Sequence, residues 1–404
     1  MATKRSSTDP IEAAILRNFR SRSFGWERGS DALWVAEEIA RGIQALIERD
    51  PARAARLYGV LIGECMELIE DLDEDGEFTA FIESLYPSWI RARRLASRPA
   101  AETAAQFFKL RSVFFFDIAE VDAAAVAAAC DEEHLEALAK AGAELLPGSV
   151  GLIRAVLRAL NAPARYIAFV RSTGLKDSDY GVIAELLEAA GEPAEALKWT
   201  TEGMDSEGMD FSPAGLDAIH RRLLKTLGRG EEALASAWVR FRSCMTVDGW
   251  RELMDYAPAE DRADWHERAM DAAGMADLDE ALEIWMAGGE QSRIIGRIAE
   301  SSDGDLEAQS HYVTEPVAKA LEEDHPALAA RVYRALGVRI LKSGKSQYYR
   351  EALHHLDSCR TCYLRAAMAR EWEALAREIQ RAHSRKHSFM PAFETVVKGR
   401  WIRI

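Results

Sequence analysis

The chain is predicted to be all-α, built of antiparallel helical hairpins stacked one on the next. Three observations point there. Apolar residues recur at helical spacing along almost the whole sequence. No segment alternates convincingly as a strand, and no Asn-Gly or Asp-Gly hairpin turn sits between alternating apolar residues. Short Gly- or Pro-marked breaks interrupt the periodic stretches at regular intervals.

The first helix is signalled by Ser30, a candidate N-cap, and Asp31 to Glu48 carries Val35, Ile39, Ile43 and Leu46/Ile47 on one face. Asp50-Pro51 breaks that pattern, with Pro51 placed to open a second helix running to about Glu70. Its stripe is Leu57, Leu61, Cys65, Leu68 and Ile69. A third helix from Phe78 to about Ser97 contains Pro87 and is expected to kink or split there. Further breaks fall at Pro99, Pro147-Gly148, Gly174, Gly191-Glu192-Pro193, Gly228, Gly274, Gly304, His325-Pro326 and Gly344.

Several of these breaks recur with a common sequence on their C-terminal side. Leu186-Leu187, Gly191 and Glu195-Ala196-Leu197 align with Leu223-Leu224, Gly228 and Glu232-Ala233-Leu234 at an offset of 37. Gly274 before Glu280-Ala281-Leu282 repeats the theme with two extra residues, and Gly344 before Glu351-Ala352-Leu353 with three. This order resembles the tetratricopeptide (TPR) unit: a helix, a glycine turn, then a second helix whose small residue lets the pair pack closely. The expected architecture is therefore a TPR-like α-solenoid, since such pairs bury their apolar stripes only by stacking. Three segments are expected. Residues 1–30 form a partly ordered N-terminal segment, 31–172 an aromatic-rich helical bundle or solenoid, and 173–404 the repeats with a basic tail, a continuous array being favoured over two independent domains. The junction Ser172 to Asp179 is polar and suits either a link or a helix N-cap.

Composition narrows the function. The chain of 404 residues is 48% hydrophobic and 29% charged, which is globular and leaves room for two or three domains or one elongated array. No apolar stretch is long enough to span a bilayer, the N-terminus lacks the h-region of a signal peptide, and five cysteines fit a reducing cytoplasm. Net charge is −15, unevenly spread: +3 on residues 1–30, +5 on 364–404, hence −23 on 31–363. So acidic a body repels phosphate backbones and favours a basic protein partner, and nucleic acid is expected only at the basic C-terminal tail.

Several stretches together resemble an uncharacterised bacterial family of all-helical proteins. They are Phe24 to Arg28, the acidic Asp71 to Glu77, Gly174 to Asp179, Glu195 to Met204, Asp324-His325-Pro326 ahead of Tyr333 to Leu336, and the tail His383 to Phe389. The C-terminal repeats look similar to those beside bacterial SWIM zinc fingers. The resemblance implies a helical-repeat fold and a bacterial, cytoplasmic protein, and it carries no activity. The Cys-x-Cys of a SWIM finger is absent, since no two cysteines stand two apart.

Two constellations could hold a metal. Asp71, Asp73 and Asp75 before Gly76 space oxygen ligands as a calcium loop does, although the twelfth position is Ile82, where a bidentate Glu belongs. Cys359 and Cys362 with His383 and His387 have zinc-type spacing, and His355 could share a helical face with the two cysteines. Against zinc stand the long gap between the pairs and the helical pattern through both cysteines, so no cofactor is expected. No nucleophile elbow, P-loop, His-Glu-x-x-His or dinucleotide fingerprint is present, and the chain is expected not to be an enzyme. The expected activity is that of an adaptor or scaffold holding a partner helix or peptide in a concave groove. Trp199, Trp238, Arg240, Trp250, Tyr256, Tyr348 and Tyr349 are the candidate anchors, the alternative for these aromatics being repeat core. The rival function is a metal-containing nucleic-acid-associated protein that uses the C-terminal Cys/His region.

Overall fold

The computed structural model describes residues 9–19, 29–69, 76–111, 120–144, 149–205 and 215–400. Every regular element among the described residues is helical, and the chain divides into two compact units, Met1–Leu227 and Gly228–Ile404.

Unit 1 begins with α1 (Pro10–Phe19), α2 (Gly29–Gln44), α3 (Pro51–Met66) and α4 (Glu77–Leu95). Ser30, expected as an N-cap, lies one residue inside α2. Asp50 caps α3 by accepting the Arg53 N–H at 3.1 Å, with Pro51 at the first helical position where its missing N–H costs nothing. Helix α4 runs through Pro87 as one element, so of the expected kink or split the split does not occur. The lost hydrogen bond is offset by burial on either side: Tyr86, Trp89 and Ile90 are fully enclosed. The unit continues with α5 (Ala100–Arg111), α6 (Glu120–Ala128), α7 (Glu132–Ala143), α8 (Val150–Ala159), α9 (Pro163–Thr173), α10 (Asp177–Ala189), α11 (Pro193–Asp205) and α12 (Leu216–Thr226). Helices α3 and α4, and α10 and α11, pack as sequence neighbours, whereas α5 packs chiefly on α7 and α6 on α8 and α4. A core from Ile15 to Val156 fills the first eight helices.

The polar junction at 172–179 is a helix start inside unit 1. Asp179 in the first turn of α10 accepts the Lys176 N–H at 2.8 Å, and its carboxylate is 2% exposed. The Tyr166 hydroxyl donates to its other oxygen at 2.7 Å, and Arg154 donates to the oxygen shared with Lys176 at 3.0 Å. A buried carboxylate held this way ties α8, α9 and α10 together, and the boundary between compact units falls instead at Leu227/Gly228.

Unit 2 comprises α13 (Gly230–Ser243), α14 (Val247–Tyr256), α15 (Arg262–Ala273), α16 (Leu278–Gly288), α17 (Gln291–Glu300), α18 (Asp303–Ala308), α19 (His311–Leu321) and α20 (Pro326–Ser343). A short 3-10 turn (Ser346–Tyr348) leads to α21 (Tyr349–Arg365), α22 (Ala369–Ala382) and α23 (Met390–Val397). One core, from Leu234 to Val396, runs through it.

The glycine turns at Gly191 and Gly344 join closely packed helix pairs as expected, whereas the one at Gly228 falls at the boundary between the two units. Ala196, Ala233, Ala281 and Ala352 are all fully buried near the start of the second helix, each followed by a buried leucine. Gly191, Gly228 and Gly344 take left-handed φ of 81°, 76° and 70°, which a Cβ would strain. Gly274 differs. It is right-handed at φ −62°, and Met275 and Ala276 extend the turn, which accounts for the longer spacing there.

Candidate functional site

Half-buried aromatics gather on α13, α14 and α15 of unit 2. Trp265 and Arg268 stand three residues apart on α15 and so share a face. The Trp238 ring from α13 meets Trp265 edge-on, with centroids 5.6 Å apart. The Arg268 guanidinium lies 4.4 Å from the Trp238 ring centre and 4.7 Å from that of Trp265. One cation on two indoles is a pre-ordered, amphipathic patch. Beside it, Trp250 on α14 meets His266 edge-on at 5.7 Å, and the Trp250 indole N–H is buried without a partner among the described residues. His266 contacts Glu290 at 2.9 Å, and Glu290 also accepts from Arg293. Arg293 in turn reaches Asp271 at 2.7 Å and Glu267. Tyr256 is half-buried on α14 and Arg240 exposed on α13.

Not every expected anchor is at the surface. Trp199 is 5% exposed, tilted on Tyr180 with Arg171 over its ring, and Tyr349 is 8% exposed beneath Lys386. These two are repeat core, because the small-residue contact between paired helices draws the adjacent large side chains inward. Tyr348, its neighbour in the 3-10 turn, is 45% exposed.

Further along unit 2 a cleft of about 660 Å³ opens where the start of α16, the end of α17 and α18 come together. Asp277, Asp279, Glu300 and Asp305 line it against a single cation, Arg297. Asp305 is partly engaged as the cap of α18: its carboxylate accepts from the Ser302 N–H at 2.9 Å and hydroxyl at 2.7 Å, and these bonds hold its pKa below the usual carboxylate range. The other three carboxylates leave the cleft strongly negative, a site suited to cationic groups. Sequence reasoning missed this cleft because its residues come from helix ends as much as 32 positions apart, joined only by the stacking. The Arg268 clasp carried a local signal, an aromatic and an arginine three apart on one helix.

The Cys/His constellation forms no site among the described residues, and the acidic loop falls outside them. Asp71, Asp73 and Asp75 lie outside them, while Gly76 takes φ +86° at the start of α4. On α21, His355, Cys359 and Cys362 do share one face, and that face is buried, at 6%, 0% and 2% exposure. Burial drives the Cys359 thiol well above its ordinary pKa and lowers His355 to about 4, so both are held neutral. His383 is half-buried at the end of α22 and His387 exposed beyond it. Among the described residues no three His, Cys, Asp or Glu side chains are gathered as a metal would need. Of the remaining cysteines, Cys65 is buried, Cys130 half-buried and Cys244 exposed. No described helix is long and apolar enough to cross a membrane.

Comparison with known proteins adds a family. A model described as a family of unknown function, DUF6880, matches residues 165–392. No curated protein matches the chain. A solved circular tandem repeat protein, with novel repeat topology and enhanced subunit contact surfaces, is 16% identical over 96% of this chain and 94% of its own. Its TM-score of 0.18 gives that likeness no weight.

Proposed function

The chain belongs to DUF6880, a family of unknown function, and from that premise we propose that it is a non-catalytic helical-repeat scaffold binding a basic segment of a partner protein. The observation that carries this reading is the acidic cleft of Asp277, Asp279, Glu300 and Asp305. Its charge has the sign of the −23 body, so short-range recognition and long-range steering favour the same partner. The Trp238–Arg268–Trp265 patch supplies the rigid amphipathic contact that interface anchors provide. Helical repeats commonly bind along a groove, and a partner helix or peptide is the occupant this chemistry suits. The reading includes a cytoplasmic bacterial setting, no cofactor, and a kinship of the C-terminal repeats with those beside SWIM fingers.

The rival, a metal-containing nucleic-acid-associated protein, rests on the +5 tail and on Cys359, Cys362, His383 and His387. Cys359 and Cys362 lie on a buried helix face, and no three potential ligands are gathered among the described residues, which is poor support for it.

The test is fluorescence anisotropy of the full chain with a labelled Lys/Arg-rich peptide, an acidic control peptide and a labelled single-stranded RNA. The basic peptide should bind, and Asp277→Lys combined with Glu300→Lys should weaken it by about tenfold or more, since each exposed charge contributes up to about 1 kcal/mol. Equal affinity in the variant, or RNA bound in preference, would overturn the reading.

A further inference from the structure

The helix start at Asp179 also borders a cavity. It is a half-open pocket of about 510 Å³ in unit 1, between α6, α8 and the first turn of α10, with Ala124, Ala128, Arg158 and Ser178 of its lining exposed, and its volume is ordinary for a small-molecule site. One wall is made of side chains no larger than a methyl group: Ala124, Ala127 and Ala128 from α6, with Gly151, Ala155 and Ala159 from α8. Their spacing of three and four residues puts each set on one helix face.

The rest of the lining carries charge, part of it from the same α8 face that bears Gly151, Ala155 and Ala159. Arg154, Arg158 and Lys176 stand there against one carboxylate, Asp179. Three cations therefore converge here, Arg154 paired with Asp179 and Arg158 with Glu185, while Asp177 joins Asp179 in the first turn of α10. Asp179 is already fully engaged by Tyr166, Arg154 and the Lys176 N–H. Arg154 donates through one arm to Asp179 and to the Gly174 carbonyl, at 2.6 Å. Its side chain is 11% exposed, and its Nε–H is buried with no partner among the described residues. Arg158 pairs with Glu185 at 2.9 Å at the surface, and the exposed Lys176 stands just before α10. The opening turn of that 13-residue helix, at Ser178, adds the positive end of a helix dipole to the same lining.

We propose that this cavity binds a small organic anion, its carboxylate or phosphate head set against Lys176, Arg158 and the first turn of α10, and its short apolar body laid on the alanine wall. The charged side chains select for the head, and the methyl-sized wall leaves the room for the body. This site is separate from the acidic cleft of unit 2 and selects the opposite charge, so each proposal stands or falls alone.

The experiment is calorimetric titration of the full chain with hexyl phosphate and hexanoate, and with inorganic phosphate and hexanol as half-ligands. At least one amphiphilic anion should bind at a single saturable site, with each half-ligand about tenfold weaker or worse. Whichever anion binds more tightly identifies the head group. Lys176→Ala, at an exposed position, should weaken the anion by about tenfold, and Ala155→Phe should abolish binding by filling the cavity. Circular dichroism checks each variant, with Ala159→Phe on the exposed part of the wall in reserve if Ala155→Phe does not fold. Absence of saturable binding up to about 10 mM, or full affinity in the wall-filling variant, would overturn the proposal.

Discussion

His355 shows how a single side chain couples burial to pH. It sits on α21 with its ring stacked on Tyr333, centroids 6.2 Å apart, and its Nδ1 is buried without a partner among the described residues. Desolvation lowers its pKa to about 4; Glu315 pulls it upward, while His354, His311 and Lys319 push it further down. The folded protein therefore refuses a proton that the unfolded chain accepts near pH 6.5. Stability from this group is complete above about pH 6.5 and is lost as pH falls toward 4, by up to about 3 kcal/mol. His355→Phe, which preserves the stack, should narrow the gap in urea stability between pH 7 and pH 4.5 by about 2 kcal/mol, and an unchanged gap would contradict this account. The sequence placed His355 correctly on one face with Cys359 and Cys362. It did not show that the face is interior, because histidine and cysteine serve equally in cores and in metal sites. Asp179 is a similar case: its position announced a helix start, but its burial depends on Tyr166 and Arg154 from other helices.

At the level of the helix, close approach decides more than propensity. A Cβ on Gly337 of α20 would sit 2.8 Å from Leu356 Cγ on α21, while one on Gly296 of α17 meets nothing within 4 Å. Gly337→Ala should destabilise the protein by about 1–3 kcal/mol through overpacking, despite the better helix former. Gly296→Ala should be neutral or add up to about 1 kcal/mol. Denaturant midpoints of the two variants distinguish packing from propensity, and equal shifts would refute the distinction. Turns with glycine were legible in the sequence because glycine relieves a left-handed φ. Ala367 adopts that conformation without being glycine, at φ 58°, so the break after α21 left no comparable signal, whereas Asn161 at φ 49° with Pro163 two residues on is a recognised form of helix stop. At Pro87 the helix does not split: a residue that often interrupts a helix is carried through between enclosed neighbours.

For the molecule as a whole, charge distribution sets the terms of association. The −23 between the basic ends lies largely on exposed side chains, where attraction for a basic peptide is screened over about 8 Å at physiological salt and about 3 Å at 1 M. Peptide affinity measured between about 0.05 and 0.5 M salt should therefore fall steeply, chiefly through slower association. A salt-independent affinity would mean that the aromatic patch, not the acidic cleft, dominates. The all-helical class and the stacking of hairpins were legible from periodicity and from the Gly-turn repeat. The cleft and the cavity were not, since both form where distant helix ends and faces converge.

The burial of the thiols has a practical corollary for chemistry at the bench. Of five cysteines, Cys65, Cys359 and Cys362 are enclosed, and burial raises the pKa of the half-buried Cys130 to about 12, far from the reactive thiolate at neutral pH. Only Cys244, at the end of α13, is exposed. Brief maleimide treatment of the native chain should add one label, read as one adduct by intact mass and lost in Cys244→Ser. The unaltered protein thus arrives with a built-in attachment point, six residues along the chain from Trp238, for a fluorophore or crosslinker that reports when something lands there.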